Sequence, residues 1–273
     1  MTALLHHDVL SAPGSSPTRS LFFLHGILGQ GTNWRGFARQ LVKQRPDWSA
    51  VLVDLRAHGD SRAVAGRDDL RGAAEDVTRL RDSLRLPVHG VLGHSFGGKV
   101  ALRWMQDDPG ALCRAFIVDS LPGARPDQTG SEGTMRVVEM LDALPPRFDS
   151  RDAFVAHVVE QGHSKALAAW LGQSLDRLED GVRFGLDVGR IRALLDDYFA
   201  TDLWAAVSPP PEKMEAHLVI GGRSSVYRAA DRQKASELAE AHARLHVHVL
   251  EKADHWVHVD DPEGLMAIVE GAL

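Results

Sequence analysis

The chain has 273 residues, 44% of them hydrophobic and 25% charged, with a formal net charge of -6 and one cysteine. That length suits one large domain or a domain with an insert, and an acidic balance without a Lys/Arg stripe speaks against a nucleic-acid footprint. A lone Cys113 closes no internal disulfide, there is no signal-like N-terminus, and no apolar run approaches the roughly 18 residues of a membrane span, so an unanchored cytoplasmic protein is expected.

A short first strand and the turn-rich stretch 11–17 open the chain. Leu21-Phe22-Phe23-Leu24 is an unbroken apolar run of strand length, the pattern of a strand covered on both faces, and it stops at His25-Gly26-Ile27-Leu28-Gly29. Trp34, Phe37, Ala38, Leu41 and Val42 then recur at helical spacing. Residues 50–53 repeat the buried-strand pattern, and a helix is predicted over 70–84. The strand entering Gly93-His94-Ser95-Phe96-Gly97 comes next, then a helix, and then a strand over 115–118 that ends at Asp119.

Strand and helix stop alternating after that point. Residues 135–144, 153–159, 167–178 and 191–199 read as helices, closed by Pro209-Pro210-Pro211. Strand 217–220, helix 229–242, strand 246–250 and helix 262–269 resume the pattern. The expected fold is α/β, a mostly parallel sheet flanked by helices. Its core would comprise 1–120 and 214–273, with 121–213 inserted as a helical cap. Ligands of such sheets sit at the carboxyl ends of the strands, where His25, Asp54, Ser95 and Asp119 fall.

The G-x-S-x-G pattern at Ser95 is weak by itself, and its strand-turn-helix setting is what gives it meaning. Glycines on either side let the backbone close in, and the free amides of the following helix point at the hydroxyl. Acyl transfer by serine further needs a base, a group orienting that base, and two amide donors for the oxyanion. His255, on the loop between the last strand and the last helix, is the candidate base. The amides of Phe96 and Ile27 are the candidate donors.

His58 and His94 read as turn-stabilising residues. His246 and His248 share one face of a strand and read as a half-buried pair more readily than as metal ligands. Trp104, Trp170 and Trp204 read as core. Gly98-Lys99-Val100 lacks the Ser/Thr of a P-loop, and no G-x-G-x-x-G follows a strand.

With Leu24 to Gly29, Asn33-Trp34, Asp54 to Ser61, Gly93 to Lys99, Leu178 to Phe184 and His255 to His258 in view, the chain resembles an α/β-hydrolase of the HG-x-x-G type. Within that superfamily it is similar to the esterase group related to the abhydrolase-domain-11 protein and its small bacterial relatives. The resemblance implies serine hydrolysis of esters with no metal and no cofactor. Most members of the fold carry the triad Asp after the strand that follows the cap. Here that loop reads Gly221-Gly222-Arg223-Ser224-Ser225, with serine where aspartate is expected. Asp119, one strand earlier, is the preferred acid, ahead of Asp231 and Asp254.

The expected activity is carboxylic ester cleavage through an acyl-enzyme on Ser95. Apolar Ile27, Leu28, Phe96 and Leu121 at the mouth suit a small-molecule ester with an uncharged acyl chain of short to medium length. A thioesterase or cofactor-free perhydrolase with the same triad is the enzymatic alternative, and a ligand receptor on the same fold is the non-enzymatic one. Neither nucleic acid nor membrane is expected as partner, and the sequence assigns no oligomeric state.

Overall fold

The uninterrupted apolar runs form the middle of the sheet, where both faces are covered and apolar side chains are favoured. In the computed structural model, which describes residues 3–85 and 87–273, Leu21, Phe22, Phe23 and Leu24 are all fully buried. The strands are β1 (His7–Leu10), β2 (Arg19–Leu24), β3 (Trp48–Val53), β4 (Val88–His94), β5 (Arg114–Val118), β6 (Leu175–Leu178), β7 (Gly181–Phe184), β8 (Glu215–Gly221) and β9 (Leu245–Leu250). Seven of them form one sheet in the order β1-β3-β2-β4-β5-β8-β9, parallel except for β1, which pairs antiparallel with β3 at the edge.

The helices are α1 (Arg35–Gln44), α2 (Leu70–Ser83), α3 (Phe96–Asp107), α4 (Glu132–Asp142), α5 (Arg151–Glu160), α6 (Lys165–Leu171), α7 (Val188–Ala200), α8 (Ala229–Ala241), α9 (Val257–Asp260) and α10 (Pro262–Ala272). Alternation along β2 sends Phe22 and Leu24 to the layer that holds α2, α3 and α8, and Leu21 and Phe23 to the layer of α1 and α10. The layout is the doubly covered parallel sheet expected from the strand-helix alternation. No helix among the described residues is long and apolar enough to cross a membrane.

Residues 121–213 add no strand to the central sheet. They carry α4 to α7, with Ser150, Ser164 and Asp187 capping α5, α6 and α7 by accepting the amides of Ala153, Leu167 and Arg190. Their apolar faces join the core cluster of α2 and α3 through Val138, Phe154, Leu171 and Leu194.

The structure departs from the helix expected over 167–178. The stretch 167–178 is α-helical to Leu171 and continues as a 3-10 turn over Gly172–Ser174, and Leu175–Leu178 then pairs antiparallel with Gly181–Phe184. Val182 also exchanges two backbone hydrogen bonds with Phe148, both 2.8 Å. That pairing with a residue more than thirty positions away favours a strand where local spacing alone favours a helix.

Parallel pairing positions the site. Leu24 lies opposite Gly93, His94 opposite Val118, and Val118 opposite Val219. The residues that follow these strands, His25, Ser95, Asp119 and the 222–227 loop, therefore emerge side by side along one edge.

Candidate active site

Ser95 stands between β4 and α3 with φ 52 and ψ -119, a backbone conformation that side chains other than glycine's rarely adopt. Its amide donates to the carbonyl of Val118 at 3.0 Å, which ties the turn to the neighbouring strand. The flanking glycines are sterically required. A Cβ on Gly93 would lie 2.3 Å from the Gly97 carbonyl oxygen, and one on Gly97 would lie 2.5 Å from the carbonyl oxygens of Leu24 and His25. The strained turn holds the hydroxyl at the N-terminus of α3.

His255, on the loop after β9, meets Ser95 and Asp119. Its Nε2 lies 3.1 Å from Ser95 Oγ and its Nδ1 2.7 Å from Asp119 Oδ2. With a carboxylate at Nδ1, that nitrogen carries the proton, so Nε2 presents its lone pair to the serine hydroxyl.

Asp119 is fully buried, and its charge is met on every side. Oδ1 accepts the Gly221 amide at 3.0 Å, while Oδ2 accepts the Ser224 hydroxyl at 2.5 Å as well as the imidazole. The residue itself sits at φ 43, held by its amide's 2.7 Å bond to the Val219 carbonyl. The other two candidate acids point elsewhere. Asp231 accepts from Arg125 at 2.5 Å and from the Arg228 amide at the start of α8, and Asp254 accepts the backbone amide of His255 at 2.7 Å.

Of the two serines in the loop after β8, Ser224 faces the carboxylate, whereas Ser225 donates to the Gly130 carbonyl at 3.2 Å.

The amides of Ile27 and Phe96 have no hydrogen-bond partner among the described residues, and both residues line the cavity beside Ser95. The next amide, that of Leu28, donates to His58 Nε2 at 3.0 Å, which fixes Leu28 at φ 64. His25 Nε2 in turn accepts the Leu55 amide at 3.0 Å. Each ring donates its Nδ1 proton to a carbonyl of its own loop, Gly26 for His25 and Arg56 for His58, both at 2.8 Å. The loops after β2 and β3 thus hold each other reciprocally.

Burial pushes His25 down to about 4 and, together with the neighbouring His25, pushes His58 down to about 3, so both rings are neutral as the geometry demands. His94 Nε2 donates to the His255 carbonyl at 2.8 Å and anchors that loop. From the sequence His58 reads as a turn residue and His25 only as the end of a strand, so neither ring's part in holding the other loop is predicted. The signal for the pairing is that each histidine precedes a glycine just after a buried strand.

A cavity of about 420 Å³ opens on Ser95 and His255. Ile27, Leu28 and Phe96 line it from the sheet edge, and Val137, Trp170 and Tyr198 from residues 121–213. Trp170, read as core, faces this space and packs edge-on against Trp256 at 5.0 Å. Leu121 does not line it. That side chain is 4% exposed and is packed into the hydrophobic core instead.

The chain matches the model of the Alpha/beta hydrolase family over residues 21–268. It is 25% identical over 263 residues to the sn-1-specific diacylglycerol lipase ABHD11 of Danio rerio, covering 94% of this chain and 78% of that protein. Among solved structures it is similar to a marine microorganism esterase, with a TM-score of 0.82, 22% identity and 99% of both chains covered. It is also similar to the thioesterase domain from the curacin biosynthetic pathway, with a TM-score of 0.68, 20% identity, and 98% and 99% of the chains covered.

Proposed function

The chain belongs to the alpha/beta hydrolase family, and from that premise we propose that it is a carboxylesterase-type serine hydrolase working through an acyl-enzyme on Ser95. The observation that carries the reading is the continuous relay from Ser95 Oγ through His255 to Asp119, at 3.1 and 2.7 Å. Ser95 Oγ attacks the ester carbonyl while its proton passes to His255 Nε2, and buried Asp119 stabilises the imidazolium without taking the proton. The amides of Ile27 and Phe96 receive the oxyanion. His255 then protonates the departing alcohol, and water repeats the sequence to release the acid.

Residues 121–213 serve as the cap in this reading, supplying the cavity wall that carries Trp170 and Tyr198. The apolar lining at Ile27, Leu28, Phe96 and Val137 supports an uncharged acyl chain of short to medium length. The name of the zebrafish relative adds glyceride esters to the substrates worth assaying. A cytoplasmic site of action belongs to the same proposal.

The test is hydrolysis of nitrophenyl esters across acyl lengths, with a diacylglycerol and acyl-CoA assayed beside them. The expected result is highest kcat/KM for an uncharged acyl group of short to medium length on oxygen. A preference for a charged acyl group would contradict the substrate assignment, and a preference for acyl-CoA would make the protein a thioesterase. No turnover of any ester or thioester would favour a ligand receptor.

A further inference from the structure

A second group of histidines lies at the opposite end of the sheet from Ser95. Alternation places Glu215 and His217 on one face of β8, and His246 and His248 on the adjoining face of β9, with His217 directly opposite His246. The His217 ring stacks between Phe116, at 4.9 Å and 20°, and His246, at 4.7 Å and 22°. We propose that Glu215, His217 and His246 form a site for a zinc-like divalent cation that clamps β8 to the edge strand β9.

One ligand atom from each of the three residues lies within 4.8 Å of the other two. Donors around a zinc ion at about 2.0–2.1 Å are roughly 3.4 Å apart, so modest side-chain rotation gathers them. His217 is the informative member. It is 5% exposed, and its Nε2 is buried with no hydrogen-bond partner among the described residues.

A buried ring nitrogen left without a partner calls for an explanation, and a bound cation is one. Its other nitrogen, Nδ1, lies 3.1 Å from His248 Nε2, so His248 takes the part that outer hydrogen-bond partners play at metal centres, fixing the ring's tautomer and tilt.

The Glu215 carboxylate is also available. Its neighbour Arg114 approaches only to 3.7 Å and directs its Nε and Nη1 to the carbonyls of Ala272 and Cys113, at 2.5 and 2.8 Å. Two imidazoles with one carboxylate suit zinc and its transition-metal neighbours over magnesium or calcium, which prefer oxygen alone. Glu215 and His246 are both partly exposed, which leaves a route for the ion and a position for water. The sequence shows His246 and His248 as an isolated strand pair, because only the β8-β9 register brings His217 to them. The site is remote from the ester-cleaving relay, so the clamp is structural and hydrolysis proceeds without it.

The experiment is calorimetric titration of zinc chloride into the chelator-treated full chain and into His246→Gln and Glu215→Gln, with cobalt(II) absorption as a second readout. Wild type should bind one zinc at this site and melt at higher temperature when loaded. His246→Gln should bind at least about tenfold more weakly, with circular dichroism and ester hydrolysis unchanged. Absence of zinc binding by wild type, or a smaller loss in a folded His246→Gln, overturns the proposal. Should His246→Gln lose its native spectrum, Glu215→Gln decides by the same criterion.

Discussion

Two pairs of strand ends meet at the carboxyl edge of the sheet, and they are held by different chemistry. After β2 and β3, His25 and His58 each accept an amide of the other's loop as neutral imidazoles. After β5 and β8, a buried carboxylate gathers the Gly221 amide, the Ser224 hydroxyl and the His255 ring. The first arrangement only orients amides, and neutral donors and acceptors do that at little desolvation cost. The second has to stabilise an imidazolium when a proton moves, and only a charge does that. A buried carboxylate, Asp54, also follows β3 and accepts the Gly31 and Asp60 amides, so what sets the second pair apart is that its carboxylate meets the imidazole that faces Ser95.

Neutralising the charged pair should produce the largest change. Asp119→Asn is expected to lower kcat by about three to four orders of magnitude, because an amide at this position permits the wrong His255 tautomer. Steady-state kinetics on a nitrophenyl ester checks this, and a loss below tenfold would erase the distinction between the two pairs.

Charging the neutral pair comes next. His25 and His58 are pushed from 6.5 to about 4 and about 3, so the unfolded chain binds protons that the folded rings refuse. The stability they contribute is complete above pH 6.5 and is lost as the pH falls towards 4 and then 3, by roughly 2 kcal/mol per ring at pH 5. The melting temperature should fall correspondingly between pH 7.5 and 5, and a flat profile would mean that these rings are not held neutral.

Ser224→Ala removes one of the bonds to Asp119 without touching the charge, and should cost about tenfold in kcat. Asp231→Asn should leave kcat within about twofold, since that carboxylate pairs with Arg125 and caps α8. Assaying the two variants side by side separates the carboxylate that faces His255 from the one that does not.

Much of this edge was legible from local pattern. Buried strands announce themselves as apolar runs, and the glycines around Ser95 mark a turn that excludes side chains. Asp119 could be put forward as the acid because the later loop offers serine where aspartate is expected. That Ser224, and not Ser225, meets the carboxylate depends on how the loop folds over β5, which no local spacing encodes. Leu121 had the right place in the chain to line the cavity, but its side chain is packed into the core. Strand β6 reads as the end of a helix because its support comes from β7, which is itself paired through Val182 with Phe148, distant in sequence. The His25-His58 exchange is likewise a contact between two loops, visible only once β2 and β3 are paired.

In the proposed mechanism the strained turn, the imidazole and the buried carboxylate together make Ser95 a nucleophile. Intact-mass and peptide-mass measurement after treatment with a fluorophosphonate tests it most directly. The prediction is one stoichiometric adduct on Ser95, absent from Ser95→Ala and formed far more slowly in Asp119→Asn. An unmodified protein, or an adduct on any other residue, would contradict it.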